Sequence, residues 1–214
     1  MTGVQTCALP ISLFNNGRGT HRIEGIGDKM VTLIHNVLTT DYVSLIHDDD
    51  CVMGLELLER RLPLVETLLG LPQGTLASLE GLFGVSGICN VLGAIRLAHQ
   101  LNLGAGDNVV TIATDGFDRY PSVLADLAER RGPIDAAKLS GWFESVFRGG
   151  SEVDILDVRP RAEKERLFVY KEDVWSGFGY SHAYLEEMKS QSFWEAQYAC
   201  IEGIDRALTA ARKM

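Results

Sequence analysis

The chain has 214 residues, of which 46% are hydrophobic and 23% are charged. This balance is typical of a globular domain, and it excludes a disordered chain, a collagen and a long coiled coil. The 29 acidic and 20 basic side chains give a formal charge of −9, which repels phosphate backbones and anionic membrane surfaces. We therefore expect neither a nucleic acid nor a membrane as a partner.

The cysteines lie far apart in the sequence, and no CxxC pair or pair of histidines has the spacing of metal ligands. No apolar run reaches the ~18 uncharged residues that a membrane-spanning helix needs. These features predict a soluble, cytoplasmic protein without a metal site. We interpret the cysteines as isolated thiols in a reducing compartment: Cys7, Cys51, Cys89 and Cys200.

The first eleven residues, MTGVQTCALPI, have neither the basic region nor the apolar stretch of a signal peptide. Reverse translation gives a DNA sequence that is similar to a short-read sequencing adapter, with GTG as the start codon. We interpret Met1 to Ile11 as a cloning or assembly scar and leave it out of the fold prediction; a genuine N-terminus is the alternative. The natural gene is then expected to continue upstream of Ser12, and the chain to be a C-terminal fragment.

A glycine-punctuated stretch from Leu13 to Lys29 opens the remaining chain and indicates tight turns. The short apolar run from Asp41 to Asp48 predicts a buried strand. Three aspartates, Asp48 to Asp50, then precede an apolar helical pattern, and we expect them to cap that helix. A metal site made by the three carboxylates is the alternative.

Two prolines, Pro63 and Pro72, divide a leucine-rich stretch that predicts packed helices rather than a coiled coil. An amphipathic helix is expected after the small-residue segment from Phe83 to Asn90. Val109 to Ala113 is an uncharged, β-branched run that predicts a parallel strand, and a helix from Pro121 to Arg131 is expected to follow.

The alternation of strands and helices predicts an α/β fold: a partial three-layer domain with a parallel sheet, followed by a helical C-terminal extension. We assign residues 12–132 to the sheet domain and residues 133–214 to the extension. Aromatic side chains occur in the extension at roughly helical spacing, which indicates helices that pack on the domain or across a dimer. An aromatic ligand cage is the alternative. Ligands bind at the carboxyl ends of parallel strands, which points to Thr114, Asp115 and Gly116.

No motif by itself identifies a function. Gly25-Ile26-Gly27 lacks the third glycine of a dinucleotide-binding loop. Ser86 lies in GVSGI, which matches a nucleophile elbow incompletely because Ile88 stands where the last glycine belongs. A dinucleotide-binding enzyme and a serine hydrolase are therefore poorly supported.

Three segments, taken in order, resemble the cysteine synthase family of pyridoxal-phosphate enzymes, which have the tryptophan-synthase-β fold type. HRIEGIGDK is similar to the family's His-Lys-Ile-Gln-Gly-Ile-Gly segment, and GVSGI to its Gly-Ile-Ser-Ser-Gly loop. ATDGFDRY is similar to its Pro-Asp-Ser-Gly-Glu-Arg-Tyr turn. The resemblance covers Gly17 to Leu127, about half of the chain, and it implies that pyridoxal 5′-phosphate is the cofactor.

The resemblance implies that the glycine loop and the serine loop lie beside the cofactor, and that a hydroxyl at the last turn contacts the pyridine nitrogen. A neutral hydroxyl there favours β-elimination and β-replacement, whereas a carboxylate would keep the nitrogen protonated. Thr114 matches the family's neutral partner and Asp115 would be a departure, with the register open by a residue or two. The residues assigned to the cofactor site are Gly25, Ile26, Gly27, Ser86, Gly87, Thr114 and Asp115.

The family's cofactor lysine and its phosphate-binding loop lie upstream of the matched region, and neither motif is present in this sequence. We therefore expect no catalytic residue here and an inactive fragment. The resemblance implies a parent lyase or synthase that acts on an amino acid with a β- or γ-leaving group, and we expect that parent to be a homodimer. Two alternatives remain: a noncatalytic ligand-binding or regulatory module on the same framework, and a structural domain whose tail binds a partner.

Overall fold

The computed structural model describes residues 10–17, 30–149 and 155–212, and most of these are helical. The chain divides into two compact units. Unit 1 contains the described residues 10–17, 42–149 and 155–157, and unit 2 contains residues 30–41 and 158–212. No helix in this described part is long and apolar enough to cross a bilayer.

Unit 1 combines helices with a pair of short strands. In chain order they are α1 (Pro10–Asn15), β1 (Tyr42–Ser44), α2 (Asp48–Arg60), α3 (Leu62–Leu69), α4 (Val85–Gln100), α5 (Pro121–Arg131), α6 (Ala136–Phe143) and β2 (Ile155–Asp157). Short 3₁₀-helical turns cover Ala77–Leu79 and Phe117–Arg119, and the π-helical turn Glu144–Arg148 continues α6.

Helix α2 lies at the centre of unit 1. The aspartates that were predicted to cap this helix, Asp48, Asp49 and Asp50, lie in its first turn, where carboxylates interact favourably with the helix dipole. The N-cap residue is His47, and its side chain makes no capping hydrogen bond. Every residue from Cys51 to Leu58 is buried, and α3, α4, α5 and α6 pack against this helix. The spacing of the apolar residues in α2 predicts one buried face, but in the structure the opposite face is covered as well.

Two residues make this complete burial possible. Glu56 is only 1% exposed, and its carboxylate lies 3.2 Å from Arg61 Nε and 3.6 Å from Arg60 Nη1. Gly54 allows α4 to approach closely, because a Cβ at this position would lie 2.8 Å from Ile88 Cγ2. The buried Glu56 carboxylate is therefore paired. The contact between α2 and α4 depends on glycine, which has no Cβ, at position 54.

The sheet corrects the predicted fold class. Within the described residues it consists of β1 and β2, which pair antiparallel with Val43 opposite Leu156. The prediction of an α/β fold with a three-layer parallel sheet is wrong, because the described chain is mostly helical. Of the run from Asp41 to Asp48, only Tyr42–Ser44 forms a strand. An apolar run is compatible with any half-buried position and does not by itself specify a parallel sheet. Here α1 and α4 pack against β1.

The parallel strand predicted from Val109 to Ala113 is also wrong. The segment is irregular and pairs with no strand among the described residues, and Val110 and Ile112 are 73% and 61% exposed. Strands need a neighbour for their backbone hydrogen bonds, and β-branched composition does not supply one. One side chain of α4 holds the segment: Asn90 Nδ2 donates to the Ile112 carbonyl at 3.0 Å.

The helix predicted from Pro121 to Arg131 is confirmed, whereas the helix expected after Asn90 begins earlier, because α4 starts at Val85. Helix α5 covers the predicted range, with a proline in its first turn and Gly132 after its last residue. Pro63 likewise lies in the first turn of α3, and Gly70 ends that helix with a left-handed backbone. These boundaries follow from local backbone preferences, so the sequence alone locates them.

Two of the four thiols are not isolated as predicted. Cys51 on α2 and Cys89 on α4 meet in the core, and both are free thiols. A hydrogen bond between the two thiols and, secondly, burial raise the pKa of Cys51 well above its ordinary value. Cys51 therefore stays neutral and packs as a small apolar side chain.

Unit 2 is helical apart from its first segment. The helices are α7 (Arg161–Ser176), α8 (His182–Glu187), α9 (Gln191–Ala199) and α10 (Ile201–Ala211). The preceding segment of the unit, residues 30–41, contains the 3₁₀ turn Val37–Thr39.

One face of α7 holds this segment by donating hydrogen bonds to its backbone. Lys164, Lys171 and Trp175 recur at the seven- and four-residue spacing that lines up on one face of a helix. Lys171 Nζ donates to the His35 carbonyl at 2.6 Å, and Trp175 Nε1 donates to the Val31 carbonyl at 2.8 Å. Lys164 Nζ donates to carbonyls of the 3₁₀ turn. These side chains supply hydrogen-bond donors to the carbonyls of a segment with little regular structure.

Burial beside this face shifts two pKa values. Burial lowers the pKa of Lys171 to about 8. Burial and, secondly, the positive charges of Lys171 and Lys164 lower the pKa of His35 to about 4. His35 is therefore neutral at pH 7, and its Nε2 lies 2.8 Å from Thr40 Oγ1.

The aromatic side chains of unit 2 pack mainly with one another. Leu185, Met188 and Trp194 form a buried cluster, against which Trp175 and Phe193 pack. Trp194 Nε1 donates to the Met188 carbonyl at 2.8 Å, which satisfies the indole within the cluster. These rings thus pack within unit 2, whereas the sequence predicted that they pack on the sheet domain or across a dimer.

The contact at Gly54 predicts the effect of one methyl group. Gly54→Ala should lower the free energy of unfolding by about 1–3 kcal/mol, the usual cost of overpacking a core. Gly141→Ala is the matched control, because Gly141 is also helical and nothing lies within 4 Å of its added Cβ. The control should gain roughly 0.5–1 kcal/mol from helix propensity. Urea unfolding followed by circular dichroism measures both; equal effects would contradict the close packing of α2 on α4.

His35 predicts an acid-sensitive fold. Its folded-state pKa of about 4 lies below the ordinary value of 6.5, so the unfolded chain takes up the proton first as the pH falls. The stabilising contribution is complete above pH 6.5 and is lost toward pH 4, by on the order of 3 kcal/mol. His35→Gln should remove most of this loss in urea unfolding at stepped pH, and an unchanged acid sensitivity would show that other groups cause it.

Candidate functional site

A polar network lies where the start of α4 meets the turn after residues 108–113. Gly84 immediately precedes α4, and Ser86 lies in the first turn of this helix. Thr114 and Asp115 come shortly before the 3₁₀ turn Phe117–Arg119. The Gly84 amide donates to the Asp115 carbonyl at 2.6 Å, which joins the two segments through their backbones.

The Asp115 carboxylate organises the surrounding hydroxyl groups. Ser86 Oγ lies 2.5 Å from Thr114 Oγ1, although 28 residues separate them in the sequence. Each of these hydroxyls also lies 3.2 Å from Asp115 Oδ1. Tyr120 OH donates to Asp115 Oδ2 at 2.6 Å. We call these four residues the Asp115 network.

The Ser86 and Thr114 hydroxyls have two protons for three contacts, namely the one between them and the one that each makes with Asp115 Oδ1. When Ser86 donates to Asp115 Oδ1, the proton of Thr114 is available to Ser86 or to a bound molecule. When Thr114 donates to Asp115 Oδ1, Ser86 donates to Thr114. Ser86 is buried and Thr114 is exposed. Thr114 is therefore the hydroxyl that a ligand can reach, and it can offer that ligand a proton.

Glycine at the start of α4 allows this arrangement. A Cβ on Gly84 would collide with Asp115 Oδ1 and with the Tyr120 ring. Gly87 has a different neighbour, because a Cβ there would lie 3.0 Å from Phe83 Cδ1. The first glycine thus makes room for the network, whereas the second makes room for a buried aromatic side chain.

Tyr120 is a persistent donor in the network. Burial, the hydrogen bond to Asp115 and the negative charge of that carboxylate, in decreasing order, raise the pKa of Tyr120 to about 12. The phenol therefore keeps its proton at neutral pH and occupies Asp115 Oδ2. This leaves Oδ1 facing Ser86 and Thr114.

The structure brings together three of the residues that the sequence assigned to the site: Ser86, Thr114 and Asp115. Gly87 follows Ser86 on α4 but packs against Phe83. The predicted glycine loop lies outside the described residues: Gly25, Ile26 and Gly27.

The sequence prediction missed three residues that shape the network. Tyr120 stands in the ATDGFDRY segment, so the resemblance to the family turn was a signal for it. Gly84 begins the GVSGI segment and could have been found in the same way. Asn90, which positions the Ile112 carbonyl, had no signal, because an asparagine within an amphipathic helix is not distinctive.

The network does not pair a serine with a histidine. Ser86 contacts a hydroxyl and a carboxylate, and none of its described partners is an imidazole. In the Ser-His-Asp arrangement, a histidine takes the proton of the serine. The described geometry therefore gives no support to a serine hydrolase.

A second cluster of titratable groups lies on α7 and α8 in unit 2. The ligand atoms of Glu172, His182 and Glu186 lie within 4.8 Å of one another. Lys189 pairs with both carboxylates, so its ammonium offsets part of their negative charge. We interpret this cluster as an ion-pair network that connects the two helices.

Comparison with known proteins does not assign the chain to a family. No protein-family model, curated protein or solved structure matches it. The resemblance to the cysteine synthase family therefore rests on the three segments quoted above.

The raised pKa of Tyr120 predicts a late phenol titration. In alkaline spectrophotometric titration, the difference between the wild-type chain and Tyr120→Phe should show an ionisation near pH 12. Asp115→Asn should lower this midpoint, because it removes the negative charge beside the phenol. A difference curve centred near pH ~10, the ordinary tyrosine value, would contradict the described network.

Proposed function

We propose that this chain is part of a cytoplasmic pyridoxal-phosphate-dependent lyase or synthase, similar to cysteine synthase, in which the Asp115 network faces the pyridine nitrogen of the cofactor. The parent enzyme would act on an amino acid by β-elimination or β-replacement. One observation carries the proposal: Ser86 and Thr114, from two segments that the resemblance assigned to one cofactor, lie 2.5 Å apart.

The donor set of the network suits a neutral pyridine ring. Thr114 is an exposed hydroxyl that can donate one hydrogen bond, and an unprotonated ring nitrogen accepts one. When bound, the cofactor supplies an electron sink for the amino acid, and a neutral ring partner favours elimination and replacement at the β-carbon. The network therefore fits the pyridine side of the cofactor.

Asp115 acts on the hydroxyls in this proposal. One of its carboxylate oxygens faces Ser86 and Thr114, and the other accepts from Tyr120. A carboxylate that is occupied in this way orients the hydroxyl protons and is not needed as a direct partner of the ring. This supports Thr114 as the residue that contacts the pyridine nitrogen.

The described lysines support the proposal that the chain is inactive by itself. Lys138 donates to the carbonyls of Arg131 and Pro133, and Lys189 pairs with glutamates. Lys164 and Lys171 donate to backbone carbonyls in unit 2. None of these amines belongs to the Asp115 network. The lysine that attaches the cofactor would then come from chain outside the described residues.

The same lysines favour a second candidate, a noncatalytic module that binds a pyridine-like or other hydrogen-bond-accepting ligand at Thr114. Such a module keeps the hydroxyls and the carboxylate but performs no bond chemistry. The two candidates share one binding site and differ in whether a lysine joins it.

Ligand binding at Thr114 is directly measurable. We expect 4′-deoxypyridoxine 5′-phosphate, which has no aldehyde and cannot react with surface lysines, to shift the amide NMR signals of Ser86 and Thr114. Thr114→Val should weaken binding roughly 2- to 10-fold, the value of one hydrogen bond. Thr75→Val is the control, because the Thr75 hydroxyl bonds only a nearby carbonyl in an exposed loop. Absence of saturable shifts, or equal weakening by both variants, would contradict the proposal.

A second measurement separates the two candidates. Pyridoxal 5′-phosphate is added to the chain alone and to the product of a gene that extends upstream of Ser12. An enzyme should give the visible absorbance of lysine-bound cofactor only in the extended protein. A noncatalytic module should bind the deoxy analogue in both proteins and give the visible band in neither.

A further inference from the structure

Two hydrogen bonds hold the chain on either side of Thr114. Before it, Asn90 Nδ2 donates to the Ile112 carbonyl at 3.0 Å. After it, the Gly84 amide donates to the Asp115 carbonyl at 2.6 Å. One donor lies on α4 and the other on the residue that precedes this helix. The start of α4 therefore restrains the backbone on both sides of the Thr114 hydroxyl.

Asn90 is well placed to act as one of these restraints. It lies four residues after Ser86, so the two side chains project from the same face of α4, and each residue is 7% exposed. A buried amide needs a hydrogen-bond partner, and the Ile112 carbonyl is one. The segment that contains Ile112 is irregular, and Ile112 itself is 61% exposed. A donor fixed on a packed helix thus holds a segment with no regular structure.

The contact between the two hydroxyls depends on this restraint. Ser86 is fixed on α4, so its Oγ stays 2.5 Å from Thr114 Oγ1 only while the segment keeps Thr114 in place. The hydrogen bond from Tyr120 to Asp115 does not involve Asn90. Loss of the Asn90 contact should therefore release Thr114 and leave the pair of Asp115 and Tyr120 intact.

We propose that Asn90 is a positioning residue for the ligand site, which holds the Thr114 hydroxyl in the place where it donates to the ligand. Asn90 acts through Thr114 in this role. The part that concerns the ligand rests on the proposed function. The restraint on residues 112–114 exists without a ligand and is tested separately.

The experiment removes the amide donor of Asn90 in two ways. Asn90→Leu keeps a similar volume, and Asn90→Asp keeps the shape but has no N–H to donate when it is ionised. Asn108→Leu and Asn108→Asp are the matched controls, because Asn108 is an exposed asparagine that precedes the same segment. Far-UV circular dichroism checks the fold of each variant. The ionisation of Tyr120 near pH 12 should persist and show that its contact with Asp115 is intact.

Two measurements follow the position of Thr114. Without ligand, NMR order parameters of the backbone amides of residues 112–114 should fall in both Asn90 variants and stay unchanged in the controls. With 4′-deoxypyridoxine 5′-phosphate, both Asn90 variants should weaken binding roughly 2- to 10-fold and no more than Thr114→Val does, because they act through that one hydrogen bond. In the Thr114→Val background, Asn90→Leu should weaken binding no further.

Three outcomes would overturn the positioning role: unchanged order parameters in both Asn90 variants, wild-type binding by both, or equal weakening by Asn90→Leu with and without the Thr114 hydroxyl. Equal effects of the Asn108 controls would overturn it as well. If the wild-type chain does not bind the analogue, the proposed function fails. The order parameters measured without ligand then decide by themselves whether Asn90 positions Thr114.

Discussion

Unit 1 depends on the complete burial of helix α2. Because Cys51 to Leu58 are covered on every side, each surrounding helix is positioned by its contact with this one element. Such burial has two physical requirements. A buried carboxylate must be paired, since an uncompensated buried charge costs on the order of several kcal/mol, and Arg60 and Arg61 provide this for Glu56. The backbones must also approach closely, which Gly54 allows. The burial of α2 thus depends on the ion-paired Glu56 and on Gly54.

The same packing positions half of the Asp115 network. Helix α4 is held against α2 through Ile88, and Ser86 lies two residues earlier on the same helix, so its hydroxyl is fixed by the core. Thr114 stands at the end of an exposed, irregular segment and is held by its contacts with Ser86 and Asp115. The buried Ser86 hydroxyl and the exposed Thr114 hydroxyl therefore contact each other and the Asp115 carboxylate. This arrangement suits a ligand atom that accepts a hydrogen bond, and the proposed pyridine-binding site is based on it.

Unit 2 satisfies its backbone in a different way. The segment of residues 30–41 has little regular structure, and the side chains of Lys164, Lys171 and Trp175 replace the missing backbone partners. This use of lysine explains the lowered pKa of Lys171 by burial, with no need for a catalytic role. A perturbed pKa can thus report the cost of a structural contact as readily as a functional site. Helix α10 is the reverse case: within the described part of unit 2, none of the residues from Ile201 to Ala211 is buried.

The sequence by itself determined the helices whose ends follow from local backbone chemistry, such as α3 with Pro63 and Gly70 and α5 from Pro121 to Arg131. It also singled out Ser86, Thr114 and Asp115 through the order of two segments. Tertiary structure alone decided that Val109 to Ala113 forms no strand, because pairing needs a neighbour that composition does not encode. It also decided that the two hydroxyls meet, that Tyr120 occupies the second carboxylate oxygen and that Asn90 holds the Ile112 carbonyl. Helix boundaries are set by interactions within a few residues, whereas strand pairing and hydroxyl networks join distant segments whose separation only packing can fix.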